Sequence, residues 1–385
     1  MIEIEPDMVV IGAGPAGSTA AEVAARAGVI VALVDRKSEI GSPVQCGGFL
    51  PEPHELRDLM PRATLPQSLV DIPERCILQR TTVQRIYAPS GSSKEFRVEG
   101  RVLDRRAFDR YLAYRAAKAG ARIFPATKAA IGKEGLRLNG QISIDLKPKV
   151  LVGADGVSSG VGRFMGSSSE ELGVCLEYEM VDVDIDSKAA EMYFGSKYAP
   201  GGYAWIIPLG ADTANVGIGI RTSYGAGIRL RDLLARFINE HPSAGPALRK
   251  GKVLAVMKGL VPAGGIPGPI QRGNILLAGD AAGHVMATSG GGIPLAAVAG
   301  RIAGEVASGF ICGRSGLDEY RSRIDREFGG ELERSVQIRR LVDIIMRSDR
   351  MVDILFGALE PEQMKEIMRG QIPDALKMIH DKLIK

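Results

Sequence analysis

Aromatic side chains are scarce in this chain, at 5% of 385 residues, and there is a single tryptophan, Trp205. No basic run with interleaved aromatics occurs, and the net charge is only +4, so nothing in the sequence calls for nucleic acid. Cysteine is also sparse. Cys46, Cys76, Cys175 and Cys312 lie far apart and form no C-x-x-C pair, which argues against a zinc site or a disulfide framework and fits a reducing compartment. Long apolar runs are missing too. None approaches the roughly 18 residues of a membrane span, and Arg301 and Glu305 interrupt the best candidate. The N-terminus enters a strand at once, without a signal-peptide pattern. The expectation is a cytoplasmic protein, or one peripheral to the inner face of the membrane. What the chain has in quantity is glycine, 48 residues, which suits a turn-rich nucleotide-binding enzyme.

The first of these glycines are the most informative. The apolar run Asp7–Ile11 leads into Gly12-Ala13-Gly14-Pro15-Ala16-Gly17 and then a small-residue stretch, which reads as strand, tight turn and helix. Gly12 allows the turn, Gly14 lets backbone approach a pyrophosphate, and Gly17 lets the helix pack on the strand. The free amides of that helix then face phosphate. A second apolar run, Val29–Val34, ends in Asp35, close to the offset expected for an acid that binds ribose hydroxyls. Arg36 and Lys37 follow, equally readable as contacts to an NADP phosphate, so this turn does not decide which dinucleotide binds.

Further along, Ile40–Gly48 is a glycine-rich loop carrying Cys46, and residues 51–75 read as short helices and loop. Ile77–Tyr87 and Phe96–Val98 read as a hairpin about Pro89–Ser93, and a helix runs from near Leu103 to Gly120. A strand at Ala121–Phe124 and a polar hairpin around Asn139-Gly140 come next. Val150–Ser159 is a second strand ending in a glycine-and-acid turn, at Asp155. Val174–Val183, Met192–Phe194, Ala204–Pro208 and Asn215–Ile220 read as antiparallel strands, followed by a helix at Leu230–Asn239 and a strand at Val253–Met257. Asn274–Gly283 is the third such turn, at Asp280, and leads through Gly290-Gly291-Gly292 into a helix at Leu295–Ala307. Beyond Gly316 the chain reads as charged helices, with Leu341, Ile345, Val352 and Leu355 near one face between arginines. A helical cap and a membrane-surface helix both fit that pattern.

The three acidic turns together resemble those of FAD-dependent oxidoreductases of the para-hydroxybenzoate hydroxylase type. Within these the chain is similar to the geranylgeranyl reductase family. The likeness rests on the Gly12, Gly14 and Gly17 turn, on Gly153-Ala154-Asp155-Gly156 with Ser159 and Arg163, and on Gly279-Asp280 with the later glycine triplet. Two shorter pieces carry the narrower likeness: Ser42–Gly48, and Gly202-Tyr203-Ala204-Trp205-Ile206-Ile207-Pro208 continued by Ala214–Gly219. There are three departures. Ile207 stands where the family usually has Phe, Phe49 interrupts the glycine loop, and His284–Thr288 lacks the usual proline. They bear on substrate and not on the flavin.

The resemblance implies an α/β fold: a Rossmann-like FAD-binding domain of the para-hydroxybenzoate hydroxylase or glutathione reductase type 2 class, an antiparallel β-sheet substrate domain and a C-terminal helical region. It divides the chain into a discontinuous FAD-binding domain (1–75, 100–171 and 270–316), a substrate domain (76–99 and 172–269) and helices at 317–385. It implies that Gly12, Gly14, Ala16, Gly17, Asp35, Cys46, Gly47, Gly48, Arg105, Ala129, Asp155, Asp280, Gly291, Gly292 and Ile293 hold FAD. In that set Asp35 meets the adenosine ribose, Arg105 a phosphate, Ala129 the adenine through its backbone and Asp280 further hydroxyls. The implied activity is saturation of C=C bonds in prenyl chains, of archaeal-type ether lipids or of a quinone or chlorophyll.

Tyr203 and Trp205, two apart on one strand, can line an apolar substrate slot or simply form strand core. An isolated alkene accepts hydride poorly, so it needs an aimed flavin, a proton donor and excluded water. Cys46, or water held by its loop, is the candidate on the donor side. A flavin-dependent aromatic monooxygenase or halogenase of the same fold, and a non-catalytic flavoprotein that carries isoprenoid lipid, remain the alternatives. No separate nicotinamide fingerprint exists, so NAD(P)H, ferredoxin or another carrier all fit as electron donor. No metal is expected.

Overall fold

The computed structural model describes residues 5–132, 135–140, 143–169, 171–225 and 227–373. Its first sheet has six strands in the order Gln271–Arg272, Ile275–Leu277, Val150–Gly153, Met8–Ile11, Val31–Val34, Arg122–Phe124. All neighbours are parallel except the two-residue edge strand. The strands Met8–Ile11, Val31–Val34 and Val150–Gly153 are buried at every position, which is why their sequences are unbroken apolar runs without alternation.

The helices Pro15–Arg26 and Ile293–Ile311 pack on each other through small residues. A Cβ on Gly300 would lie 2.1 Å from the Ala16 carbonyl oxygen, and one on Gly304 2.7 Å from that of Ala20. Side chains would force them apart, so the two glycines set how closely these helices approach. Leu136, Leu138 and Leu146, from a small sheet of Lys128–Gly132, Gly135–Asn139 and Ile144–Leu146, join the same core.

The second sheet has eight strands in the order Lys252–Pro262, Leu172–Val181, Thr213–Arg221, Tyr203–Pro208, Ala189–Tyr193, Ile77–Tyr87, Ser93–Leu103, Phe49–Pro51. It is antiparallel with one exception. Ala189–Tyr193 runs parallel to Ile77–Tyr87, because the chain reaches it from a different part of the fold and not through a hairpin. Strand alternation gives the sheet two different faces. Leu176, Met180, Val216 and Ile218 bury against Leu233, Leu234 and Phe237 of the helix Leu230–Glu240. Cys175, Glu177, Trp205, Gly217 and Gly219 face the other way, toward the cavity described below.

The C-terminal helices are not uniform. Leu317, Tyr320, Ile324, Phe328 and Leu332 are buried in the core of the parallel sheet, and the Tyr320 hydroxyl donates to the Leu277 carbonyl at 2.7 Å. The sequence pattern predicted one apolar face through Leu341, Ile345, Val352 and Leu355. The structure corrects this: those residues belong to two helices, Gly330–Ile345 and Asp349–Ala358, separated by a turn. The second is held against loops of the large sheet, where Asp349 accepts from Ser196 and Asp353 from the Ser90 amide, each at 2.9 Å. Any helix beyond residue 373 lies outside the described residues. None of the described helices is long and apolar enough to cross a membrane.

Candidate functional site

The carboxyl ends of the parallel strands converge on a groove of about 1040 Å³. This is the edge where ligands bind in open α/β sheets. Each strand end contributes a piece. Gly12, with φ +100°, leaves no room for a side chain, since its Cβ would meet the Ala154 carbonyl oxygen at 2.2 Å. Gly17 packs as tightly, 1.8 Å from the Gly12 carbonyl oxygen, whereas a Cβ on Gly14 would meet nothing. Gly12 and Gly17 therefore close the turn, and Gly14 keeps the face toward the groove open. Gly14 is the N-cap of Pro15–Arg26 and supplies no side-chain cap, so the first-turn amides are free to meet an anion.

The predicted acids sit in this groove in three different states. Asp35 lines it, with its carboxylate oriented by the Ala13 amide at 2.7 Å and the Lys37 amide at 2.8 Å. Asp155 lines it as well, but its carboxylate accepts from Ser159 and from the Gly160 amide at 2.7 Å, so it braces the first turn of the helix Gly160–Met165, whose N-cap is Ser159. Asp280 lines it with no protein donor on its carboxylate among the described residues. Burial pushes its carboxyl up to about 6, partly offset by the Arg105 guanidinium. Ala16 and Ala129 line the same groove.

Arg105 begins the helix Arg105–Lys118 and is paired with Asp109 at 3.0 Å. Burial opposes its charge, while Asp109 and the neighbouring Cys46 sulfur hold it protonated. His284 was not anticipated. Burial lowers its imidazole to about 3, and its neutral Nδ1 accepts from the Gly279 amide at 3.3 Å, fixing the turn that presents Asp280.

Behind the groove lies a second cavity of about 400 Å³, lined mainly by apolar atoms. Its wall is the free face of the large sheet with Phe49, Phe96 and Phe194, and its lid includes Val342, Met346, Ile367 and Met368 from the C-terminal helices. Tyr203 and Trp205 both line it. The Tyr203 hydroxyl donates to the Ser289 carbonyl, tying the sheet to the glycine triplet. The Trp205 indole lies over Gly217, where a Cβ would stand 2.3 Å from its ring, and its Nε1 donates to Asn215 Oδ1 at 2.7 Å. Two of the three departures noted in the sequence, Phe49 and Ile207, line this chamber and not the groove.

Groove and chamber share a seam that includes Gln45, Cys46, Cys175, Gly290, Gly292 and Ile293. Cys46 Sγ accepts from the Gly48 amide at 3.4 Å, and Gly47 packs against Ile207, Asn215 and Trp205. Gly47, Gly48 and Gly291 line the chamber alone, although the resemblance groups them with the cofactor. Glu177 also lines the chamber, and Asn215 supports it from behind by accepting from Trp205. Sequence reasoning did not single them out, and the one available signal was a polar residue inside a buried strand.

Comparison with known proteins agrees with this geometry. Residues 171–261, which build most of the chamber's sheet, match the model of the geranylgeranyl reductase catalytic domain. The chain is 34% identical to digeranylgeranylglycerophospholipid reductase 2 of Methanopyrus kandleri, covering 96% of this chain and 94% of that protein. It is 36% identical to the protein of that name in Methanothermobacter thermautotrophicus, covering 96% of each. Among solved structures, a geranylgeranyl bacteriochlorophyll reductase-like protein of Thermoplasma acidophilum superposes with a TM-score of 0.84 at 29% identity, covering 98% of this chain and 99% of that one. The flavin-dependent brominase Bmp2, at 16% identity and a TM-score of 0.73, shares the fold.

Proposed function

The chain belongs to the digeranylgeranylglycerophospholipid reductase family, and from that premise we propose that it holds FAD in the groove and saturates geranylgeranyl chains of archaeal-type ether phospholipids in the chamber. The observation that carries this reading is the seam: a polar, glycine-floored groove opens onto an apolar slot at Cys46 and the glycine triplet. The groove's residues fit the cofactor. Amides without a side-chain cap face it at Pro15–Arg26, Asp35 and Asp280 offer acceptors to hydroxyls, and Arg105 offers a cation.

When bound, the reduced flavin supplies the hydride. The protein does the rest. The chamber's apolar wall binds the prenyl chain and keeps water from the reacting carbons. Gly292 caps the helix Ile293–Ile311 without a side chain, so free amides at the seam favour negative charge there. Cys46 stands on the proton-donor side with Arg105 beside it.

The reductant is an external carrier of nicotinamide or ferredoxin type. The enzyme works at a membrane surface, where Ile344, Met351 and Ile354 are exposed beside Arg347 and Arg350, a face suited to anionic lipid. Anaerobic incubation of the reduced holoenzyme with digeranylgeranyl phospholipid, followed by mass spectrometry, tests the reading. The expected result is a mass gain in steps of two hydrogens. An unchanged lipid with fully reduced flavin would overturn it.

A further inference from the structure

Four carboxyl groups line the chamber among the described residues: Glu55, Glu177, Glu191 and Asp343. Three are neutralised. Glu55 pairs with Arg369 and Lys365, Glu191 with Arg85 and the Tyr193 hydroxyl, and Asp343 with Arg221 and Arg339. Among the described residues Glu177 has no salt bridge. It is 2% exposed, its neighbour is the Asn215 amide, and its Oε2 has no hydrogen-bond partner among the described residues. A carboxylate left like this in an apolar wall carries a large desolvation penalty, and the neutral acid does not.

The surroundings fix the direction of the remaining bond. An indole N–H can only donate, so the Trp205 contact holds Asn215 Oδ1 toward the ring and turns its amide N–H groups toward Glu177. The Asn215 amide is thereby available to one carboxyl oxygen of Glu177, and Oε2 is left to carry a proton. Burial raises the Glu177 carboxyl more than the Asn215 bond and Arg105 lower it. Cys175 lies two residues away on the same strand face. Burial above all pushes its thiol up to about 12, so it stays an S–H group able to pass a proton.

We propose that Glu177 is the proton reservoir of the chamber, recharging Cys46 after that thiol has given its proton to the alkene carbon. This rests on the prenyl-reduction reading above. The Cys46 S–H bond breaks as the C–H bond forms, leaving a thiolate beside Arg105. The Glu177 O–H bond then breaks, across the Cys175 thiol, as the Cys46 S–H bond re-forms. Glu177 regains a proton from water between reductions, as the chain shifts to bring its next double bond to the seam. The hydride comes from the reduced cofactor of the proposed activity, so each saturated bond gains one hydride and one proton. A reservoir matters because a prenyl chain presents several double bonds in succession, and Cys46 holds one proton.

The test is a rapid-quench time course with excess dithionite as reductant and mass spectrometry of the lipid, on wild type, Glu177→Gln, Glu177→Asp and Cys46→Ala holoenzymes. Wild type should reduce successive bonds at similar rates. Glu177→Gln should keep the first reduction and slow each later one roughly tenfold or more, with Glu177→Asp recovering part of the loss. Cys46→Ala should be slow from the first bond. Infrared spectra supply a readout independent of turnover: a protonated-carboxyl band should persist above the ordinary carboxyl range, vanish in Glu177→Gln and survive in Asp280→Asn.

Emission from the sole tryptophan, Trp205, reports whether the Asn215 bond is intact in each variant. If it shifts in Glu177→Gln, the Glu177→Asp time course and band decide. Uniform wild-type rates in Glu177→Gln, equal slowing of the first and later bonds, or an unchanged infrared band would each overturn the proposal. If wild type reduces no prenyl chain, the reduction reading fails instead, and the infrared band still decides whether Glu177 is protonated.

Discussion

Where the groove is built from the ends of parallel strands that between them bring glycine turns and carboxylates, the chamber is built from one sheet face closed by helices from the far end of the chain. In the groove, recognition depends on backbone: Gly12 and Gly17 hold the turn because no Cβ fits, and amides and carboxylates are aimed by main-chain geometry. In the chamber it depends on volume, set by how Trp205, Phe49, Phe194, Val342 and Met346 meet across the space. The first kind of site follows from local rules. The second exists only once distant segments have packed. Groove substitutions should therefore disturb cofactor affinity and leave the slot intact, and chamber substitutions should do the reverse.

Cys46 sits where this contrast should break. Cys46→Ala should retain the flavin spectrum and slow flavin reoxidation by prenyl lipid by roughly a hundredfold to ten-thousandfold, measured by anaerobic stopped flow. Cys46→Ser should recover part of that, because a hydroxyl can still relay a proton. A wild-type rate in the alanine variant would make the loop structural.

Inside the groove, Asp280→Ala should weaken FAD binding roughly ten- to hundredfold, as expected for loss of a charged acceptor, while circular dichroism stays native. The same residue gives a pH effect. Its folded carboxyl titrates near 6, so FAD affinity, followed by fluorescence quenching, should fall as pH drops through that value. His284 adds a separate effect on folding. Its folded-state value, about 3, lies below the ordinary histidine range, so the unfolded chain binds more protons between these limits. That contribution to stability is complete above about 6.5 and is lost as pH falls below it.

For the chamber, removal of residues 346–385 should lower lipid affinity severalfold and leave FAD bound. A cut at Gly316 would instead unfold the protein, because Tyr320, Phe328 and Leu332 belong to the main core. The smallest effect concerns the outer face: Ile354→Glu should reduce co-sedimentation with anionic vesicles a few-fold without changing activity on detergent-dispersed lipid.

The two sites also differ in how much of them the sequence discloses. Gly12, Gly14, Asp35 and Asp280 were legible because a turn motif fixes its residues to neighbours in the chain, whereas Arg105 was legible only through the family resemblance. Tyr203 and Trp205 were legible as a pair at strand spacing. Their partners were not. Asn215 binds Trp205 only through the register that sets Trp205 opposite Gly217, and Glu177 is distinguished by what it lacks, a cation, which no local pattern encodes. Val342 and Met346 line the slot from the end of the helix Gly330–Ile345, where the chain breaks into a turn that an apolar stripe concealed.

The contact of Gly300 and Gly304 with Ala16 and Ala20 has a consequence for the order of events during synthesis. The helix that opens the cofactor groove is made first, yet it rests on one that ends at Ile311. Likewise Met8–Ile11 pairs with Val150–Gly153, which in turn pairs with Ile275–Leu277. A nascent chain thus emerges with its glycine turn braced by Val31–Val34 on one side only, and the slow closure of these long loops must precede loading. Ribosome-arrested chains that have not released Ile311 from the exit tunnel should fail to take up FAD, so cofactor capture marks the end of translation and cannot nucleate its beginning.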